Sequence, residues 1–283
     1  MRIYKFGFFI GCFLFPATAI FSQQKKISYG NNPAAGTYYA VRGIQMYTES
    51  YGVGKPLLLI HGNGGSIRAF TANIPYFSKK YQVIAVDSRA HGKTIDAGDS
   101  LSFEMMADDF AALLNAMHID SAYVIGWSDG GINALLLAMR HPEKVIKLVS
   151  TGANLTPDST GLIPHYWIDE QKQFEKDKNK PRTTAKEKND WKIFLLDWLQ
   201  PNVPMDDLKA IRCPSLIICG DNDLIPIEHT AAIYHHIPRA YLWVVPHSGH
   251  ATLQEHRDAF NQTADSFFEE TFEGFERSSG NTP

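Results

Sequence analysis

Gly126-Trp127-Ser128-Asp129-Gly130 spells G-x-S-x-G, a spacing in which glycines let the backbone turn sharply on both sides of a serine. Alone the pentapeptide is a weak signal, with roughly one chance in ten of arising by accident at this composition. Its setting strengthens it. Tyr123-Val124-Ile125 precedes it and Ile132-Asn133-Ala134-Leu135-Leu136-Leu137 follows, so a strand, a tight turn and a helix are predicted. That geometry leaves the Ser128 hydroxyl exposed at the C-terminal edge of a strand. The N-terminus of the next helix supplies partial positive charge for a developing oxyanion. A serine hydroxyl is a poor nucleophile at neutral pH. It needs a base, and the base needs a carboxylate to fix its tautomer.

Both partners are available further along the chain, in the order acid then histidine. Gly220-Asp221-Asn222-Asp223 follows the apolar run Leu216-Ile217-Ile218-Cys219, and His247-Ser248-Gly249-His250 follows Trp243-Val244-Val245-Pro246. Both land at C-terminal strand ends, where open α/β sheets carry ligands. Asp223 lies deeper in its loop and is taken as the acid, with Asp221 capping the turn. His250 follows a glycine and opens the last helix, so it is preferred to His247. An oxyanion needs two backbone donors. The Asp129 amide, just after the serine, is one. The Asn63 amide, in the glycine-rich loop His61-Gly62-Asn63-Gly64-Gly65, is the other. The Asp129 side chain has two readings: a helix cap favoured by the dipole, or a carboxylate that pairs with a substrate cation. Trp127, Tyr166, Trp167 and Trp191 are candidates to line a pocket.

The elements that must position these residues alternate along residues 38–270. Pro56–Ile60, Gln82–Val86, Ala122–Ile125, Val145–Val149, Leu216–Ile218 and Tyr241–Val245 are continuous apolar runs. Such runs suit strands buried on both faces of a parallel sheet. Tyr39–Ser50 partly alternates and reads as an antiparallel hairpin opening the sheet. Helices are predicted over Phe103–His118 with Ser102 as N-cap, Ile132–Arg140, Glu228–His236 and Leu253–Phe268. Residues 154–209 contain no strand. The charged stretch Asp169–Asp190 and the amphipathic Trp191–Trp198 read as an inserted helical cap with a solvated face. The fold class is therefore α/β, a mostly parallel sheet flanked by helices on both faces, with that cap inserted.

Composition agrees with one globular domain. The chain has 283 residues, 44% of them hydrophobic and 20% charged, which excludes a disordered or collagen-like chain. A net charge of −3 gives no electrostatic case for nucleic acid. Met1-Arg2-Ile3-Tyr4-Lys5 followed by the apolar run Phe6–Phe15 and small residues at Ala17 and Ala19 reads as a secretory leader over residues 1–22. The run is too short to span a bilayer, which takes ~20 residues. The expected organisation is this leader, an α/β domain over 23–270 with the cap at about 154–209, and a disordered tail over 271–283. The expected product is exported, periplasmic or secreted, with no stable membrane insertion after cleavage. Cys12 leaves with the leader. Cys213 and Cys219 sit at opposite ends of one strand-like run, about 20 Å apart at ~3.3 Å per residue, too far to pair. They read as buried thiols. No cysteine cluster suggests a metal, and the chemistry above needs no metal or organic cofactor.

Taken together, His61–Gly65, Asp87-Ser88-Arg89-Ala90-His91-Gly92, Gly126–Gly131, Gly220–Asp223 and His247–His250 resemble the α/β-hydrolase superfamily, in its usual motif order. The resemblance implies an α/β-hydrolase fold, a triad of Ser128, Asp223 and His250, oxyanion donors at Asn63 and Asp129, and a structural loop at 87–92. It does not fix a substrate. A narrower likeness, carried by Gly126–Ile132 and by His141-Pro142 after the helix, is to the valacyclovir hydrolase and biphenyl-hydrolase-like group. That likeness implies that Asp129 helps bind an α-ammonium group; Trp127, from its place before the serine, is the other substrate-binding candidate. The expected activity is that of an exported serine hydrolase cleaving an ester-type bond of a small molecule. The alternatives are a peptidase, thioesterase or carbon–carbon hydrolase on the same fold, or a non-enzymatic receptor.

Overall fold

The apolar runs fold into one eight-stranded sheet in a computed structural model that describes residues 27–274. The expected leader, and residues 275–283 of the expected disordered tail, lie outside the described residues. Residues 271–274 are coil held against the body: Glu273 N donates to the Tyr241 hydroxyl at 3.0 Å, and the Phe272 ring packs 4.8 Å from that of Tyr241.

The strands are β1 (Gly36–Val41), β2 (Ile44–Tyr51), β3 (Lys55–Ile60), β4 (Tyr81–Val86), β5 (Ala122–Trp127), β6 (Val145–Thr151), β7 (Ser215–Gly220) and β8 (Ala240–Val245). Their spatial order is β1-β2-β4-β3-β5-β6-β7-β8. The β1–β2 hairpin and the β2–β4 pair are antiparallel. Every other neighbouring pair is parallel. The helices are α1 (Ile74–Phe77), α2 (Phe103–Ala116), α3 (Asp129–Arg140), α4 (Pro164–Asp177), α5 (Ala185–Leu199), α6 (Ile227–His236), α7 (Thr252–Glu255) and α8 (Arg257–Glu269).

Both faces of the sheet are covered, so central strands are apolar at successive positions rather than alternately. Leu58, Ile60, Val124 and Leu148 pack with α2, α3 and α6, whereas Leu57, Leu59, Ile125 and Val149 pack with α1, α7 and α8. Each such side chain contributes about 1.5–3 kcal/mol when fully buried. Ser102 caps α2 by accepting from Met105 N at 3.1 Å.

Most helix ends fall within two residues of the sequence expectation, and two depart further. The helix after the serine begins at Asp129 rather than Ile132, because the glycines at 130 and 131 continue it and its first residues lie under the strands. The last helix breaks at His256, where φ is −117° and ψ is 42°. The break is held by the preceding loop: Glu255 accepts from Gly249 N at 2.6 Å, and His256 Nε2 donates to the His247 carbonyl at 3.0 Å. Cys213 and Cys219 are free and buried, and burial pushes both thiols up to about 11.

The cap comprises α4 and α5. None of α4 is fully buried, and in α5 only Leu196 is. The two helices meet through a run of stacked rings, Trp167 on Trp198, Trp198 on Phe174, Phe174 on Trp191 and Trp191 on Phe194. Arg182 lies 3.7 Å over the Trp191 ring. Polar ties attach α5 to the body. Lys192 Nζ meets Asp96 Oδ2 at 2.5 Å, and Asn189 Nδ2 donates to the Ala90 carbonyl at 2.7 Å. Asp96 is itself paired with buried Arg89 at 3.0 Å, and Arg89 with Asp109 at 2.6 Å.

Candidate active site

Ser128 sits where β5 hands over to α3, with φ +57° and ψ −124°. A non-glycine residue held at positive φ stores on the order of 1–3 kcal/mol of strain, which the surrounding packing must offset. The flanking glycines explain how the turn closes. A Cβ at Gly130 would lie 1.9 Å from the Ile60 carbonyl oxygen, so only glycine lets α3 start this close beneath β3.

The loops after β7 and β8 deliver the other two groups to the same rim. Ser128 Oγ lies 2.9 Å from His250 Nε2, and His250 Nδ1 lies 2.7 Å from Asp223 Oδ1. A carboxylate only accepts, so Nδ1 carries the proton and Nε2 presents its lone pair to the serine hydroxyl. Asp223 is 7% exposed, and its Oδ1 also accepts from Ile225 N at 3.1 Å. Asp221 stays outside this relay; it accepts from Ser248 N at 3.1 Å and so holds the loop that carries His250. Glu255 holds the same loop through Gly249 N. His247 is exposed and points its carbonyl at His256.

Trp127 has a second job that its place in the motif did not reveal. Its Nε1 donates to the His250 carbonyl at 2.9 Å, tying the residue before the serine to the histidine backbone.

The glycine-rich loop lies directly against the serine: a Cβ at Gly62 would sit 2.9 Å from Ser128 Cβ. His61 braces this loop. Its Nδ1 donates to the Gly62 carbonyl at 2.7 Å, and its Nε2 accepts from Ser88 N at 3.1 Å. Burial lowers its pKa to about 4, so it stays neutral in this role. Asp129 is the first residue of α3, where helix geometry leaves its amide without an intrahelical acceptor. Asn63 is also engaged through its side chain. Its Nδ2 donates to Asp129 Oδ2 at 2.9 Å and to the Ile193 carbonyl of the cap at 3.3 Å.

A cavity of about 340 Å³ opens on Ser128 and His250, lined also by Trp127, Tyr166, Asn154, Leu162 and Ile225. Of the four aromatics expected there, Trp127 and Tyr166 line it. Trp167 and Trp191 do not, because both are spent in the stack that joins α4 to α5.

Three carboxyl groups shape the electrostatics of this space. Asp129 is 3% exposed, and burial pushes its pKa up to about 7. Burial also raises Asp197, which lines the cavity from α5, to about 7, with the Asp129 charge adding to the effect. Glu170, on α4, is raised to about 7 by burial and then by Asp197. The sequence reading passed over Asp197 and Glu170. Their signal was helical spacing: Tyr166 and Glu170 are four apart on α4, and Asp190, Ile193 and Asp197 fall on one face of α5. Among the described residues no group of His, Cys, Asp and Glu is arranged to hold a metal ion.

A family profile described as the alpha/beta hydrolase fold matches residues 55–189. The chain is 27% identical over 264 residues to the mouse protein named "Serine hydrolase BPHL", covering 87% of this chain and 91% of that one. It is 28% identical over 272 residues to the 2-hydroxymuconate semialdehyde hydrolase of Pseudomonas sp. (strain CF600), covering 85% and 96%. Among solved structures, a thermophilic esterase from Thermogutta terrifontis superposes with a TM-score of 0.70 at 22% identity, covering 82% of this chain and 97% of that one, a likeness of fold.

Proposed function

We propose that this chain, a hydrolase of the α/β fold with a biphenyl-hydrolase-like resemblance, is a serine hydrolase that cleaves a small ester through an acyl-enzyme. The observation that carries the reading is the unbroken relay from Ser128 Oγ to His250 to Asp223, at 2.9 and 2.7 Å, open to a cavity. Ser128 Oγ attacks the carbonyl carbon as its proton passes to His250 Nε2. The carbonyl π electrons move onto oxygen, which the amides of Asn63 and Asp129 stabilise. Collapse expels the alcohol, which takes the proton back from His250. Water, deprotonated by the same imidazole, then releases the acid and restores Ser128. Asp223 holds the tautomer and stabilises the imidazolium.

The substrate class in this proposal is an amino-acid ester with a free α-ammonium. Asp129 supports it: a buried carboxylate beside the nucleophile is offset best by a cation. Among the described residues no lysine or arginine lines the cavity, and its acidic lining favours a cationic substrate over an anionic one. The proposal also makes the enzyme an exported one, on the residue pattern of 1–22. N-terminal sequencing of the mature protein checks that part.

A fluorophosphonate probe is expected to label the protein at Ser128, with no labelling of Ser128→Ala. Unlabelled folded protein would favour a binding role instead. Free amino-acid esters are expected to outrun their N-acetylated forms by about tenfold or more, the order of one charge-assisted contact. Equal rates would leave Asp129 to hold Asn63 and to complement the dipole at the start of α3.

A further inference from the structure

The cap contributes acids that the hydrolytic relay does not use. Glu170 on α4 and Asp197 on α5 line the cavity that contains Ser128 and His250, and neither makes a hydrogen bond or salt bridge among the described residues. Among the described residues, several carboxylates elsewhere that are held away from water have partners. Asp109 meets Arg89 and Arg42, Asp96 meets Lys192 and Arg89, and Asp265 meets Lys80. Tyrosine hydroxyls and backbone amides serve Glu49. Leaving carboxylates half-buried and unpaired costs free energy that packing alone would not retain. Asp190 also lines the cavity but reaches Lys186 outside it.

The acids are ordered. Asp129 lies beside the nucleophile, its Oδ2 already holding Asn63 Nδ2. Asp197 responds to the charges of both Asp129 and His250, and Glu170 responds to Asp197. Asp129 stands at the start of α3 next to the nucleophile, whereas Asp197 and Glu170 line the cavity from the cap helices α5 and α4. Tyr166, on the same helix as Glu170, lies within the field of all three. One α-ammonium satisfies one of these acids. Two remain, on the side of the pocket away from the sheet.

We propose that Asp197 and Glu170 bind a second positive charge, so that the site selects doubly cationic esters, those of a basic amino acid whose side chain carries an ammonium or guanidinium group. This rests on Ser128 being the nucleophile of an esterase, and it adds that the cap, not the sheet rim, reads the side chain. A methylene chain lies along Ile193, Phe194 and Leu224 while its charged end meets the cap acids. Norleucine keeps the four side-chain carbons of lysine and lacks its terminal ammonium, so the comparison reads the contribution of the charged group.

The test uses the purified enzyme and 2-naphthyl esters of lysine, norleucine and N-acetylnorleucine. Expected is a kcat/KM at least about tenfold higher for lysine than for norleucine, falling towards unity in the double variant Glu170→Gln/Asp197→Asn. The ratio is the readout because general damage to the cap lowers both rates together. It is also expected to rise from pH 6 to pH 8 in the native enzyme, as the cap acids lose protons, and to stay flat in the double variant. Because both substrates use the same nucleophile, base and α-ammonium partner, effects common to the two divide out. A wild-type enzyme that cuts all three esters with no lysine preference overturns this inference and leaves the esterase intact. So does a preference that survives both substitutions. If no ester is cut and no fluorophosphonate is taken up, the hydrolase reading fails instead. The cation site is then judged by calorimetry of lysine and norleucine methyl esters on Ser128→Ala. Tighter binding of the lysine ester, lost with the cap acids, sustains it, and equal binding overturns it.

Discussion

The rim of the sheet and the cap above it are built on opposite plans. At the rim, Ser128, His250 and Asp223 sit on loops pinned by β5, β7 and β8, and the histidine loop has three further holds in Asp221, Glu255 and Trp127. In the cap, α4 buries no residue completely, the helices meet through stacked rings, and two carboxylates face the cavity without a hydrogen-bond or ion-pair partner among the described residues. Covalent chemistry tolerates little error in geometry, so it belongs on elements that a sheet core holds rigid. Recognition of a side chain asks only for charge and volume, which a looser, attached layer can supply. On the proposed reading, the rim fixes what is done and the cap fixes to what.

Substitutions at the rim are expected to show the largest effects. Ser128→Ala should lower kcat by about 10⁴-fold or more while leaving the circular dichroism spectrum unchanged. His250→Ala should do nearly as much, and His247→Ala less than about tenfold. Equal losses for the two histidines would mean that the 2.9 Å contact does not identify the base. One step smaller is the tie between the two regions. Lys192→Met removes the ion pair to Asp96 that anchors α5, and KM for a cationic ester is expected to rise about three- to tenfold with kcat changing less. A fall in kcat with KM unmoved would show that the cap takes part in the chemistry. Smaller again is Trp127→Phe, which keeps the ring and deletes one hydrogen bond to the His250 carbonyl, a net loss of about 0.5–1.5 kcal/mol. That corresponds to roughly a two- to twelvefold fall in kcat, at unchanged KM.

Stability should divide along the same line. Asp197 has its folded pKa raised to about 7, above its unfolded value, so its contribution is most favourable at low pH and is lost as pH rises through 7. Asp197→Asn is therefore expected to raise Tm at pH 8, by ~2–4 °C for each kcal/mol recovered, and to change it little at pH 5. A Tm that falls at pH 8 would mean that the carboxylate has a stabilising partner. The smallest expected signal is at the thiols: Cys213 and Cys219 should resist a thiol reagent until the protein unfolds, because both are buried and hard to ionise.

How far each region could be read beforehand follows from the range of the interactions that build it. The serine turn was legible because its determinants are contiguous: an apolar strand, two glycines that a Cβ would jam, and a helix, all within residues 122–140. Asp223 and His250 were legible because parallel strands end at one rim, so any polar residue just past β7 or β8 arrives there. The start of α3 was misjudged by three residues because helix-poor glycines concealed it, and the break at His256 because Glu255 turns back to a loop six residues earlier.

In the cap, spacing could show that Tyr166 and Glu170 share a face, as do Asp190, Ile193 and Asp197, but not where either face points. Trp167 and Trp191, candidates for the pocket by residue type, lie in the helix–helix stack instead. The order of residues in this chain thus determined the sheet, its rim and the identity of the groups gathered there, since those follow from local periodicity and strand direction. Which acids face the cavity was decided only when α4 and α5 docked, because the rotation of an amphipathic helix about its own axis is set by what it packs against.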